Sequence, residues 1–139
     1  MNGRRPETQH ARLTTGKPDS TLTSEPPDYL TGHAARVWRE TITDLEAEGR
    51  PIHRLNRQTL VGFCDAAAIV RECGETLARE GHLVDGGREG LKRNPAATLR
   101  ISALQALRAF AAELGLTPAS NARLPQPHVP EKKSKFADL

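Results

Sequence analysis

Gly81-His82-Leu83-Val84-Asp85-Gly86-Gly87-Arg88-Glu89-Gly90-Leu91-Lys92-Arg93-Asn94-Pro95 decides the fold, because it closes one long helix, turns the chain and opens another. Gly81 suits a helix stop, where a left-handed residue carries no side-chain penalty. Asp85-Gly86-Gly87 is a turn signal between two short runs, which predicts a small β-hairpin. Two strands are marginal by themselves, so this hairpin has to lean on helices or on a neighbour. Asn94 is placed to cap the next helix. Pro95 fits its first position, where the missing N–H has no helical partner.

Upstream of this stretch a helix is expected from about His53 or Asn56 to Glu80, with Leu60, Phe63, Cys64, Ala67, Val70 and Leu77 as its apolar stripe. Gly74 continues that stripe at a point where a close helix neighbour fits. At roughly 37 Å this helix exceeds what one small core needs, and the overhang predicts packing against another subunit. Downstream, Leu99, Ala103, Leu107, Phe110 and Leu114 form one stripe of a third helix, while Ile101, Leu104 and Ala111 form a second. A helix apolar on two sides is either central to the fold or buried in an oligomer. Before both, Trp38, Ile42 and Leu45 recur at helical spacing behind Ala34 and Ala35, with Thr31 as cap and Gly49 as stop. Arg50-Pro51 then breaks the chain. After the third helix, Gly115 suits a left-handed stop, and Leu116 is placed to fold back near Ala111 or Ala112. Thr117 and Pro118 can start a short last helix. The fold class is therefore mainly α: three principal helices, a small β-hairpin between the second and third, and a short C-terminal helix.

The 139 residues suit one domain with a modest core, built from Leu, Ile, Val and Ala because aromatics are only 4%. Residues 1–25 hold Arg4, Arg5, Pro6, Lys17 and Pro18 among many Thr and Ser, and are expected to be a disordered tail. Residues 125–139, with Pro125, Pro127 and Pro130 ahead of Lys132, Lys133, Lys135 and Phe136, are expected to be a flexible basic tail. The foldable domain is 26–124.

Catalytic chemistry finds little support. No two of His10, His33, His53, His82 and His128 stand at the i, i+3 or i+4 spacing of a helical metal site, and neither Cys64 nor Cys73 has a CxxC partner. No phosphate-binding glycine loop is present. Asp65, Glu72 and Glu75 read as a solvated face beside Arg71 and Arg79, and Ser102 and Ser120 lack a base. The expectation is a protein that is not an enzyme and carries no metal and no cofactor. Cys64 and Cys73, nine residues apart on one helix, lie on opposite faces about 13 Å apart along the axis. They cannot bridge. Two free thiols, no secretory apolar region and no run near the ~20 residues of a membrane span predict a cytoplasmic protein.

The formal net charge of +3 permits nucleic-acid binding without requiring it. The basic residues nonetheless cluster. Arg50, His53, Arg54 and Arg57 surround the break into the second helix, with Arg54 and Arg57 on one side at spacing i, i+3. Arg88, Lys92 and Arg93 lie on the hairpin and run toward Arg100. Guanidinium groups suit bidentate phosphate contact, whereas a solubilising surface paired with Asp44, Glu46 and Glu89 would need no ligand. Charge alone leaves both readings open.

Three pieces in order resemble the phage terminase small subunit family. They are the Trp38 helix with its Gly49 stop; Leu55-Asn56-Arg57 leading into Leu60-Val61-Gly62-Phe63-Cys64-Asp65-Ala66; and Gly90-Leu91-Lys92-Arg93-Asn94-Pro95, a long helix and Glu113-Leu114-Gly115-Leu116-Thr117-Pro118. Phe63 stands where Tyr is usual, Asn56 where Asp is frequent, and Asn121 where Arg is common. The last departure shifts the expected DNA contact away from the terminal element. The resemblance implies a non-catalytic subunit that binds double-stranded viral DNA, forms a ring-like homo-oligomer and recruits or regulates a large subunit carrying ATPase and nuclease activities. The host-cell cytoplasm is the implied location. Arg54, Arg57, Arg88, Lys92 and Arg93 are then the expected phosphate contacts. Phe136 with its lysines reads as a solubilising tail in preference to a docking segment for the large subunit. Two other readings are a helix-turn-helix regulator, for which the second helix is too long and too apolar, and a helical interaction module with no nucleic-acid role.

Overall fold

The computed structural model describes residues 20–124, so the expectations for the outer parts of both tails, including Phe136 and its lysines, lie outside the described residues. The chain forms α1 (Gly32–Ala47), α2 (Arg57–Glu80), an antiparallel hairpin of β1 (Leu83–Asp85) and β2 (Leu91–Arg93), α3 (Pro95–Glu113) and α4 (Pro118–Arg123). The mainly α class, the hairpin between the second and third helices and the short last helix all stand.

The helix boundaries follow the local signals. Gly49, Gly81 and Gly115 take φ of +71°, +85° and +66°, the conformation that frees a helix end from its own side chains. Asn94 caps α3 by accepting from Ala96 N–H, with Pro95 inside the first turn. Thr117 and Ser120 cap α4 reciprocally. Leu116 N–H bonds Ala111 O at 2.9 Å and its side chain packs on the core, as the fold-back requires. One cap differs from expectation. Thr31 stands at the start of α1 without a side-chain capping bond, and so does Asn56 before α2. His53 caps instead, accepting Leu55 N–H at a short 3-10 turn, Arg54–Asn56, that leads into α2.

The core sits at one end. Trp38, Ile42, Leu60 and Cys64 are fully buried, joined by Leu45, Ile52 and Leu114. Here α1 packs along the first half of α2, its start tied to mid-α2 by the His33–Arg71 contact at 3.0 Å. The N-terminal lead-in closes this core. Leu22 is buried, its N–H bonds Ile52 O at 2.8 Å, and the Trp38 indole N–H donates to Thr23 O at 3.0 Å. Residues 20–25, assigned from sequence to the N-terminal tail, are thus part of the domain. A single leucine among Thr and Ser shows no periodicity, and only the tertiary partners Ile52 and Trp38 reveal its role.

Beyond the reach of α1, α2 and α3 continue as an antiparallel pair capped by the hairpin. Phe110 lies close against Gly62 and Arg100 over Gly74, so side chains of α3 cover both glycines. The stripe assigned to α3 divides accordingly. Leu114 is buried at the core end and Ala103 against α2, Leu107 and Phe110 are half-buried, and Leu99 is exposed at the hairpin end. Ile101 and Leu104, from the second stripe, are exposed too. Among the described residues α3 is therefore an edge helix and not a central one, because no third helix there covers its first half.

Candidate nucleic-acid interface

The five basic residues singled out from the sequence fall at opposite ends of α2. Arg54 lies in the 3-10 turn and Arg57 is the first residue of α2. Both are exposed, and in a 3-10 turn residues three apart eclipse, which keeps them on one side. The first turn of α2 contains no acidic residue. Cations at the positive end of a helix dipole are unfavourable for stability, so this end concentrates positive potential and attracts anions. Ser20 O accepts Arg54 N–H at 2.7 Å and fixes the backbone of the turn.

Arg50, grouped from the sequence with these residues, has a different task. Its guanidinium donates to Gly115 O and pairs with Glu48 at 3.1 Å, clamping the break after α1 to the end of α3. It is structural, and spacing alone could not show this because Gly115 is 65 residues away.

The second cluster rides on the hairpin. Its register pairs Leu83 with Arg93, Val84 with Lys92 and Asp85 with Leu91. The connection spans Gly86 to Gly90, closed by Gly86 N–H to Gly90 O at 2.7 Å, with Asp85 Oδ1 accepting Gly87 N–H at 2.8 Å. Gly87 and Gly90 both have positive φ. Arg88 stands at the tip. Lys92 and Arg93, being adjacent in a strand, point to opposite faces. Lys92 lies along Gly86, and Arg93 turns toward Leu77 and Arg100. The structure thus splits a cluster that looked contiguous in sequence. Arg57, Arg88, Lys92 and Arg93 form no ion pair among the described residues, unlike Arg50, Arg71 and Arg79, which pair with Glu48, Glu75 and Glu80.

Asn94 holds the hairpin to both helices. It is 3% exposed, and its amide nitrogen donates to Gly81 O at 2.9 Å and to Glu80 Oε2 at 3.3 Å while its oxygen caps α3. Its own N–H bonds His82 O at 2.8 Å. The capping role was legible from Asn-Pro, but the cross-link to the end of α2 was not. The two basic clusters are consequently held at a fixed separation. α2, with its 24 residues, runs about 36 Å between the ends that carry them.

Other chemistry is muted. Among the described residues no group of three or more metal-ligating side chains comes together. Burial, with the Asp65 charge beside it, pushes the Cys64 thiol up to about 12, which keeps it protonated and unreactive. Both Cys64 and Cys73 are buried free thiols. No helix among the described residues is long and apolar enough to cross a membrane.

The family described as phage terminase, small subunit, matches residues 34–131, from the first turns of α1 to past α4. No curated protein and no solved structure matches the chain. With the helix stops, the hairpin and the family match in one order over most of its length, the chain belongs to the phage terminase small subunit family.

Proposed function

We propose that this subunit binds double-stranded viral DNA through two basic clusters, Arg54 with Arg57 and Arg88 with Lys92 and Arg93, as the recognition component of a DNA-packaging machine. The carrying observation is their placement at opposite ends of α2, a helix of about 36 Å, close to one turn of B-DNA at about 34–36 Å. A rigid helix bearing cations at both ends can meet backbone phosphates one turn apart without paying for a hinge. The subunit is non-catalytic in this reading. It works with a large subunit that supplies ATP hydrolysis and DNA cleavage, in the cytoplasm of the host cell.

Self-assembly into a ring completes the reading. Leu99 on α3 is 53% exposed, and Leu91 on the hairpin is 72% exposed. Apolar side chains gathered at one end of a small chain favour contact with another copy.

Binding of a labelled duplex at rising salt tests the DNA reading. Each neutralised phosphate contributes about 0.9 to the slope of log affinity against log salt. The double variants R54Q/R57Q and R88Q/K92Q are each expected to make it shallower by about two. A wild-type affinity indifferent to salt overturns the reading. Native mass spectrometry tests assembly, where a monomer at working concentration removes the ring.

A further inference from the structure

We propose that Arg100, with Arg93 and His82, forms a notch at the base of the hairpin that takes one deoxyribose-phosphate unit of the DNA backbone. The inference rests on the DNA-binding reading above and adds two residues to it, Arg100 and His82.

A cleft of about 130 Å³ opens where the hairpin joins the helices. Leu77, Ala97, Ile101 and Leu104 make its apolar floor, and His82, Arg93 and Arg100 supply its N–H donors. No carboxylate lines it. The nearby Glu80 is occupied by the Asn94 amide and by Arg79 at 3.7 Å. The guanidinium of Arg100 lies over Gly74, 3.7–3.9 Å from where a Cβ at that position would stand. Its Nε is buried and has no hydrogen-bond partner. A buried N–H of this kind is costly unless an acceptor arrives, and the acceptor that suits a guanidinium is an oxyanion. His82 has its backbone fixed by Asn94, and its ring offers an N–H whether neutral or protonated.

The combination selects among anions. A free phosphate makes no use of an apolar floor, whereas a sugar-phosphate unit sets its oxygens against Arg93 and Arg100 and its deoxyribose over Ile101 and Leu104. The notch also adjoins β2, where Lys92 stands on the opposite face.

Labelled duplex DNA and the full chain test this by fluorescence anisotropy over a salt series. Arg100→Gln is expected to weaken binding at every sequence and to make the salt slope shallower by about one. Arg79→Gln removes the same charge from exposed α2 surface and is expected to leave the slope unchanged. Should Arg100→Gln lose helical signal, His82→Ala at an exposed position decides, with weaker DNA binding expected and unchanged binding overturning the notch. If Arg100→Gln binds like wild type while R88Q/K92Q is weakened, the notch fails and the broader reading survives. If Arg100→Gln leaves DNA affinity intact but lowers the native mass, the notch receives a carboxylate of a second copy and the proposal is wrong. Loss of all salt dependence in the wild type instead removes the DNA reading itself.

Discussion

Replacing Gly62 by alanine probes how closely α2 and α3 meet. A Cβ at Gly62 falls 2.6, 2.8 and 2.9 Å from Cζ, Cε2 and Cε1 of Phe110, well inside van der Waals contact. Overpacking of this kind costs about 1–3 kcal/mol. Alanine in a helix interior returns about 1 kcal/mol relative to glycine, so a net loss of about 0–2 kcal/mol is expected. Gly74 supplies the internal control. The atoms nearest to a Cβ there belong to Arg100 at 3.7–3.9 Å, an ordinary contact, so Gly74→Ala keeps its propensity gain and stabilises. The two substitutions are chemically identical, lie on the same helix, and are expected to move stability in opposite directions. Thermal unfolding by far-UV circular dichroism reads the difference, at about 4–8 °C per kcal/mol for a domain of this size, with protein concentration held fixed because assembly shifts the midpoint. A double-mutant cycle sharpens it. In a Phe110→Ala background the ring is gone, and Gly62→Ala is expected to become stabilising. Equal stabilisation by both alanines in the wild-type background refutes the close approach of Phe110 to α2.

Two further predictions address the joints of the fold. Asn94→Ala removes the α3 cap and leaves Gly81 O without its amide donor, for an expected loss of about 1–3 kcal/mol in chemical denaturation. Asn94→Asp keeps the cap oxygen but loses the donor and faces Glu80, so it is expected to fall well short of wild type; full recovery would mean that capping alone matters. Cys64 is expected to resist thiol-labelling reagent at pH 8 in the folded chain and to react once the chain is unfolded. Its folded pKa, raised from 9.0 to about 12, fixes the sign of its pH dependence. The unfolded chain releases the proton first, so this group's contribution is whole below pH 9 and declines as pH rises toward 12. Rapid labelling of folded protein at pH 8 would contradict its burial.

The parts of the fold legible in the sequence are those decided within a few residues. Gly49, Gly81 and Gly115 stop helices, and Asn94-Pro95 and Thr117-Pro118 start them, because caps and left-handed turns need only local chemistry. What could not be read was decided by residues far apart. Nothing local to Leu99 says that α1 stops short of it, so a residue fitting the inner stripe is left exposed. Gly62 is a featureless helical glycine until Phe110 arrives from 48 positions away. The basic residues were legible as types and as clusters, but not their roles. Strand alternation separates Lys92 from Arg93, a carbonyl at Gly115 occupies Arg50, and Arg100 gains significance only through the cleft beside it.

The pairing of Ser20 with Arg54 carries a consequence for the segments on either side of the domain. Ser20 meets the turn that bears Arg54, and Leu124 lines a hollow with His53 and Asn56 at the same end of α2. Both segments are therefore rooted beside Arg54 and Arg57, and neither beside the hairpin. Trimming the chain before Ser20 or after Leu124 is therefore a change made at that one end of α2, with the hairpin end as its untouched reference.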